Sequence, residues 1–321
     1  MKKVTNFILA SLCCCSSVFG QQRINTVEIS KLDSYIAANE AKIIGIRPNN
    51  AAKIMWADGY QNKKTAIAFV YLHGFGASHR EGEPVLKMLS SKYKANIFLS
   101  RLEEHGINRE NSFEFLTPEN YIASAKQALE IGKILGKKVI LISTSTGGTL
   151  SLKLASEDPS ISGLILYSPF VDLYDPAMSG IILPGGKEKF KEKIGGDILK
   201  QNRPDEEAKY WSTNYHVNGY VSLITMLKQN MIKTTFEKIT CPVFMGYYYK
   251  NENEQDQVVS VSAMLNMYDF LGTPNLKKTK IAFPESGNHV IACDLRSKDW
   301  QGVYNATVTF MNQKILKLKN E

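Results

Sequence analysis

Six apolar runs of strand length recur along the chain and alternate with segments of helical periodicity. The runs cover residues 65–76, 96–100, 137–144, 163–169, 241–248 and 279–283. Uninterrupted apolar runs are typical of strands that are buried on both faces of a parallel sheet. Before the third run, Thr117 and Pro118 suit the cap and the first residue of a helix. The alternation predicts an α/β protein with a mostly parallel, doubly wound sheet.

Two segments break this alternation and suggest how the chain is divided. Residues 21–62 contain one helical stretch and are predicted to form a small N-terminal extension. Residues 170–238 separate the fourth run from the fifth and are predicted to fold as helices and loops. An insertion at that place usually lies above the carboxyl ends of the strands, where α/β sheets bind ligands. The predicted core therefore comprises residues 63–169 and 239–321.

The first twenty residues have the layout of a secretory signal peptide. Lys2 and Lys3 precede an apolar run over residues 4–12, and small residues follow. The run is too short for a stable transmembrane span. Export to the periplasm or the medium is therefore expected, although Cys13–Cys15 leave open a lipid-anchored lipoprotein.

Composition and charge exclude several classes of protein. The chain is 44% hydrophobic, as expected for a globular protein, and its formal charge of +8 is scattered along the sequence. No basic stripe interleaved with aromatic residues is present, so nucleic-acid binding is not predicted. Beyond residues 1–20 only Cys241 and Cys293 remain, which is no disulfide framework, and the sequence does not decide whether they pair.

The stretch "VILISTSTGGTL" at residues 139–150 resembles a strand that turns sharply into a helix. A nucleophilic serine at such a turn needs small residues two positions before and two positions after it. Ser145 meets this condition with Ser143 and Gly147, and Gly148 lets the following helix pack closely. For Ser143 itself the preceding flank is a leucine, which is too large. The motif is a variant of the G-x-S-x-G nucleophile elbow.

A glycine loop, "YLHGFG", directly follows the first apolar run. Acyl transfer needs donors aimed at the developing oxyanion, and backbone N–H groups serve this purpose. Gly74 and Gly76 let the backbone turn so that the N–H of Phe75 can point inward. The N–H of Thr146, at the start of a helix, is the second candidate donor. His73 is interpreted as a structural loop residue rather than as a catalytic base.

Candidates for the base and its carboxylate partner follow the last two runs. Asp256 stands before the apolar "QVV", whereas its rivals Glu252 and Glu254 lie in a polar stretch typical of a solvated loop. His289 is the one histidine in the loop after the last run. Ser145, Asp256 and His289 thus follow the nucleophile, acid and base order of one fold.

Together, "HGFG", "STSTGG", "DQVV" and "GNH" resemble the α/β-hydrolase superfamily over roughly residues 63–315. "SRLEEHGIN" resembles a loop of its carboxylesterase, monoacylglycerol lipase and serine aminopeptidase-like branch. The resemblance implies a serine hydrolase with Ser145 as nucleophile, His289 as base and Asp256 as its orienting acid. It implies no metal or organic cofactor, and a helical lid at residues 170–238. Ser143 departs from the glycine usual at its position.

The leading interpretation is an exported enzyme that cleaves a small-molecule carboxylic ester, such as a monoacylglycerol-like or lysophospholipid-like substrate. A serine aminopeptidase or amidase is the alternative, and it would need an acidic anchor for a substrate amine. Glu103, Glu104 and Asp172 are the candidates for that anchor. A non-catalytic binding protein on the same fold is the third hypothesis. The sequence does not indicate an oligomeric state.

Overall fold

A seven-stranded sheet forms the centre of the computed structural model, which describes residues 24–317. The predicted signal peptide and Cys13–Cys15 lie outside the described residues. The strands are β1 (Lys53–Met55), β2 (Thr65–Leu72), β3 (Asn96–Leu99), β4 (Gly136–Thr144), β5 (Ile161–Tyr167), β6 (Ile198–Lys200), β7 (Asn214–His216), β8 (Val243–Tyr247), β9 (Tyr249–Asn251), β10 (Glu254–Gln255) and β11 (Lys278–Ala282).

The helices fall mainly between these strands. They are α1 (Leu32–Glu40), α2 (Val85–Tyr93), α3 (Pro118–Leu135), α4 (Thr146–Glu157), α5 (Gly186–Ile194), α6 (Asp205–Ala208), α7 (Val217–Asn230), α8 (Lys233–Phe236), α9 (Val261–Phe270) and α10 (Trp300–Phe310). Thr117 caps α3 through a hydrogen bond from the N–H of Asn120, and the Asn120 side chain caps Thr117 in return.

The strand order is β1-β3-β2-β4-β5-β8-β11. Only β1 is antiparallel to its neighbour, and the other pairs in this sheet are parallel. This arrangement confirms the predicted mostly parallel, doubly wound sheet. The six apolar runs correspond to β2, β3, β4, β5, β8 and β11.

Hydrophobic clusters cover both faces of the sheet. Along β2, Ala68, Val70 and Leu72 belong to the cluster that packs against α3 and α4. Ile67 and Phe69 belong to the cluster on the other face, which packs against α2 and α10. Because alternate residues of one strand enter opposite cores, the strand has no solvent face and its sequence is apolar throughout.

Two features of the segments outside the core were not predicted. The N-terminal extension contributes β1, which pairs with β3 at one edge of the sheet. Residues 170–238 contain a two-stranded pair, β6 with β7, as well as the predicted helices and loops. These strands are only three residues long, which is too short to give a recognisable apolar run. The division into extension, core and insertion itself stays a prediction.

Two further properties concern the described part of the chain as a whole. Within residues 24–317, no helix combines the length and apolar character that crossing a membrane requires. Cys241 and Cys293, whose pairing the sequence left open, are both free thiols. Burial raises the pKa of each thiol to about 12.

We expect Ile140→Ala to destabilise the fold strongly, because Ile140 is fully buried in central strand β4. Removing a buried isoleucine side chain costs about 2–5 kcal/mol of unfolding free energy. Ile44→Ala is the matched control, since Ile44 is 92% exposed, and it should change stability by less than about 0.5 kcal/mol. Urea unfolding measures both, and equal effects of the two substitutions would contradict the described core.

Candidate active site

Ser145 occupies a strained turn between β4 and α4. Its φ of 54° and ψ of −120° lie where residues other than glycine are rarely found. Such a conformation costs about 1–3 kcal/mol and persists only where surrounding contacts enforce it. The N–H of Ser145 donates to the carbonyl of Tyr167 at 3.0 Å, and its carbonyl accepts from Gly148 at 2.8 Å and Phe170 at 2.9 Å. The end of β5 therefore fixes the serine backbone.

The residues flanking Ser145 are held in tight contact with neighbouring strands. A Cβ atom on Gly147 would lie 1.9 Å from the carbonyl oxygen of Leu72, so only glycine fits there. Ser143 is fully buried in β4, and its hydroxyl makes no hydrogen bond to another described residue. A Cβ atom on Gly148 would lie 2.6 Å from that of Pro169. Small side chains at these positions let α4 start directly against β2 and β5.

The loop after β2 is fixed by its histidine. His73 Nε2 accepts a hydrogen bond from the N–H of Leu102 at 3.1 Å, and Nδ1 bonds the carbonyl of Gly74 at 2.9 Å. Burial lowers the pKa of His73 to about 3, so the ring is neutral. Gly76 has a φ of 76°, and a Cβ atom there would lie 2.2 Å from the Tyr215 hydroxyl. His73 thus has the structural role that the sequence suggested.

The two backbone donors suggested by the sequence reach the same cavity as Ser145. Phe75 and Thr146 both line it, together with the serine. No hydrogen bond from either N–H to another residue of the described chain is found. The Phe75 ring packs against Phe113 and Tyr215. This packing fixes the loop that carries the Phe75 N–H.

Asp256 and His289 form a buried pair. His289 Nδ1 lies 2.5 Å from Asp256 Oδ2. The other carboxylate oxygen accepts from the N–H groups of Val258 at 2.9 Å and Val259 at 3.1 Å. Asp256 is fully buried. These bonds stabilise the ionised carboxylate and fix the direction in which it faces the imidazole.

The rival carboxylates lie apart from this pair. Glu252 accepts a hydrogen bond from the Tyr249 hydroxyl at 2.9 Å, and Glu254 lies 3.1 Å from the ammonium of Lys250. Both glutamates are exposed on the β9–β10 hairpin. Asp256 alone of the three bonds His289.

The charge balance around His289 favours its protonated form. Burial lowers the pKa of His289, but the charge and hydrogen bond of Asp256 and the charge of Glu81 raise it, and the net shift is upward. His289 Nε2 is buried and makes no hydrogen bond within residues 24–317. Ser145 and His289 line the same cavity of about 710 Å³, without a hydrogen bond between Ser145 Oγ and Nε2. Such bonds are often long before substrate binds.

Glu81 is a cavity residue that sequence reasoning missed. It lies in a short 3₁₀ turn, is 3% exposed, and accepts a hydrogen bond from the N–H of Gly74 at 2.6 Å. Burial raises the pKa of Glu81 to about 7, against the opposing effects of the Gly74 N–H and of His289. In the sequence it stands in "HREGEP", which is typical of a solvated loop, so no signal marked it.

The acidic residues considered as amine anchors do not reach the cavity. Glu104 pairs with Arg109, and Asp172 pairs with Lys228 at 2.7 Å. Glu103 is also absent from the cavity wall. Over residues 24–317, no group of three or more His, Cys, Asp or Glu side chains is placed to hold a metal ion.

Comparison with known proteins gives distant relatives. No protein-family profile matches the chain. It is 25% identical over 190 residues to a thermostable monoacylglycerol lipase of Bacillus sp. (strain H-257). The aligned region covers 59% of this chain and 72% of that lipase. It is 31% identical over 102 residues to a putative esterase/lipase 2 of Mycoplasma pneumoniae, covering 32% of this chain and 37% of that protein.

Solved structures resemble the whole core. A structure from work on LipS and LipT, two metagenome-derived lipolytic enzymes, is 15% identical with a TM-score of 0.67, covering 84% of this chain and 99% of that one. A soluble variant of monoglyceride lipase from Saccharomyces cerevisiae is 13% identical with a TM-score of 0.63, covering 83% and 92%. The chain therefore has the α/β-hydrolase fold, and its sequence is similar to those of a monoacylglycerol lipase and a putative esterase/lipase. The curated relatives support a hydrolase of the carboxylic-ester kind.

We expect Gly147→Ala to damage both the turn and the activity. The added methyl group would collide with the Leu72 carbonyl, push α4 away from β2 and displace Ser145. Overpacking of this kind costs about 1–3 kcal/mol of unfolding free energy. Gly180→Ala is the control, because a Cβ atom there has no neighbour within 4 Å. Urea unfolding and hydrolysis of p-nitrophenyl butyrate measure the two effects, and a Gly147 variant as active as the Gly180 variant would contradict the described turn.

Proposed function

We propose that the chain is a serine hydrolase that cleaves carboxylic esters, with Ser145 as nucleophile, His289 as general base and Asp256 as the acid that orients it. One observation carries this proposal. A serine held at positive φ at a strand-to-helix turn shares a cavity with a buried pair in which His289 Nδ1 lies 2.5 Å from Asp256. A neutral serine is a weak nucleophile, so a base within the same cavity is what the chemistry requires.

The buried pair sets the tautomer of the imidazole. Because Asp256 Oδ2 accepts the Nδ1–H of His289, the lone pair of the neutral ring lies on Nε2, at the cavity wall. In the proposed reaction Nε2 takes the proton of the Ser145 hydroxyl as its oxygen attacks the ester carbonyl. Asp256 stabilises the imidazolium that forms. The raised pKa of His289 favours this proton transfer.

The remaining steps use groups already described. The N–H groups of Phe75 and Thr146 are proposed to stabilise the oxyanion of the tetrahedral intermediate. The imidazolium then protonates the leaving alcohol, and the acyl group stays on Ser145. Water, deprotonated by His289 Nε2, attacks the acyl-enzyme and releases the acid, which restores the serine hydroxyl.

The cavity favours an ester over an aminopeptidase substrate. An amine anchor would have to be an ionised, otherwise unengaged carboxylate. Of the acidic residues that line the cavity, Asp256 bonds His289, Glu254 pairs with Lys250, and Glu81 accepts the N–H of Gly74. Arg203 and Arg296 also line the cavity and repel an ammonium group.

Residues 170–238 are proposed to act as the lid. They supply one part of the cavity wall, to which Phe170, Leu173, Met178, Tyr220 and Leu223 contribute. The opposing part comes from loops at the carboxyl ends of the core strands. A partly apolar wall on the inserted segment suits an acyl chain, as the proposed ester substrate requires.

We expect Ser145→Ala to abolish labelling by a fluorophosphonate probe and to lower ester turnover by at least about a thousandfold, because the attacking oxygen is lost. Ser156→Ala is the control, since Ser156 lies on the same helix and its hydroxyl only bonds the carbonyl of Lys153. In-gel fluorescence and p-nitrophenyl ester hydrolysis measure the result. Labelling that persists in the Ser145 variant would disprove the nucleophile, and an unlabelled wild type would favour a binding protein.

The same preparations separate the two catalytic classes. The wild type should hydrolyse p-nitrophenyl esters and leave aminoacyl anilides almost untouched. A preference for the anilides would support the aminopeptidase alternative instead.

We expect Glu81→Gln to shift the acid limb of the pH profile of kcat/KM towards lower pH. The base is neutral His289, so activity falls as pH drops through its pKa. The charge of Glu81 raises that pKa. Removing the charge should lower the apparent pKa of His289 by up to about one pH unit. Glu103→Gln, at an exposed carboxylate outside the cavity, should leave the limb in place. An unchanged or upward-shifted limb in Glu81→Gln would contradict this electrostatic coupling.

A further inference from the structure

The cavity beside Ser145 is lined by two arginines and three acidic residues, and three of these five side chains have an ion-pair partner. Arg203 and Arg296 line it, whereas Asp256 is engaged by His289 and Glu254 by Lys250. Glu81 is buried with a pKa of about 7. Arg296 is paired with Glu207, so among the described residues Arg203 is the lining arginine without a carboxylate partner.

Arg203 is the arginine without a counter-ion. Its Nε donates to the carbonyl of Ser212 at 2.9 Å, and one Nη donates to Gln201 at 2.6 Å and to the Tyr215 hydroxyl at 3.1 Å. Among the described residues no carboxylate lies within ion-pair distance of it, and its other Nη makes no hydrogen bond. These neutral partners fix the guanidinium at the cavity wall while leaving donors available to a ligand.

A second guanidinium, that of Arg47, stands behind the wall near Tyr215. It donates to the carbonyl of Trp211 at 2.7 Å and has no carboxylate partner in the described chain. Burial lowers the pKa of Arg47, the Tyr215 hydroxyl opposes this, and the nearby charge of Arg203 lowers it further. The charge of Arg47 therefore adds to that of Arg203 behind this part of the cavity wall.

Arg296 extends the positive surface to the His289 side. It pairs with Glu207 at 2.5 Å and lies over the Trp211 ring, 5.5 Å from its centre. Its Nε is buried and makes no hydrogen bond within residues 24–317. Glu207 and the Trp211 ring thus hold Arg296 in place on this side of the cavity.

We propose that the substrate is an ester that carries an anionic group, a carboxylate or a phosphate, remote from the scissile bond, and that Arg203 binds this group. The inference rests on the proposed ester hydrolysis and narrows its substrate class. The other Nη of Arg203 keeps two N–H donors that can bind the oxygens of either anion. Arg47 and Arg296 add to the attraction, and Arg203 is the residue that confers specificity. A neutral monoacylglycerol leaves these donors unmatched.

The test compares esters that differ only in charge. Mono-p-nitrophenyl adipate and p-nitrophenyl hexanoate have acyl chains of equal length, and the first ends in a carboxylate. We expect wild-type kcat/KM to favour the adipate by about tenfold or more, as a charged hydrogen bond provides. Arg203→Gln should lose most of that ratio, mainly through KM of the adipate. Lys200→Gln removes an equal charge from the same segment at an exposed side chain, and should keep the ratio.

A second pair of esters locates the anion. Lauroyl glycerol phosphate and monolaurin share an acyl chain and differ by a phosphate on the alcohol. A preference confined to this pair places the anion on the alcohol side, and one confined to the adipate places it on the acyl side. Either result supports the proposal if Arg203→Gln reduces the preference for the anionic ester.

The outcomes that overturn the proposal are distinct from failure of the proposed function. If the wild type hydrolyses the neutral esters and prefers neither anionic partner, the substrate class is wrong and ester hydrolysis stands. A preference for the anionic esters that survives in both Arg203→Gln and Arg203→Lys overturns the role of Arg203. If both variants unfold, the ratio of kcat/KM between anionic and neutral esters in the wild type still decides the substrate class. Absence of hydrolysis and of Ser145 labelling removes the proposed function and this inference together.

Discussion

The close approach of α4 to the ends of β2 and β5 is the constraint on which the rest of the site depends. Gly147 lets the helix begin against the Leu72 carbonyl, and hydrogen bonds from Gly148 and Phe170 hold the carbonyl of Ser145. The serine then has no conformation available other than one with positive φ. Buried strands on both sides provide the energy that maintains this strain. The packing of α4 against the sheet thus determines the backbone conformation of Ser145 independently of His289 and Asp256.

Electrostatics around the imidazole depends on the same burial. Asp256 is held by two backbone N–H groups, so its charge is stabilised away from water and faces His289 in one orientation. Glu81 accepts one backbone N–H, and burial raises its pKa to about 7. The two buried carboxylates thus differ in the number of backbone donors that hold them.

Sequence patterns predicted the six longer strands of the central sheet and missed three strands of three residues each. Most of the longer strands were predictable because both of their faces enter a core, and β11 was predicted although its residues are only partly buried. Strands β1, β6 and β7 were not, since three residues are too few to show a periodicity. Ser145, Asp256 and His289 could be proposed because each follows a strand. Glu81 could not, because its burial arises from the folding of a charged loop onto the serine. Export stays a prediction, since residues 1–20 lie outside the described chain.

The residues proposed for bond cleavage and the residues of the facing cavity wall lie in different parts of the chain. The residues proposed for bond cleavage lie in loops at the carboxyl ends of the central strands. Arg203 and Tyr215, which determine the charge of the facing wall, lie in the segment between β5 and β8. The fold positions the residues proposed for cleavage, whereas the choice of ester depends on side chains that the fold leaves free to vary. An uncompensated guanidinium at that wall stabilises nothing in the core, so its contribution is best sought in what the cavity binds.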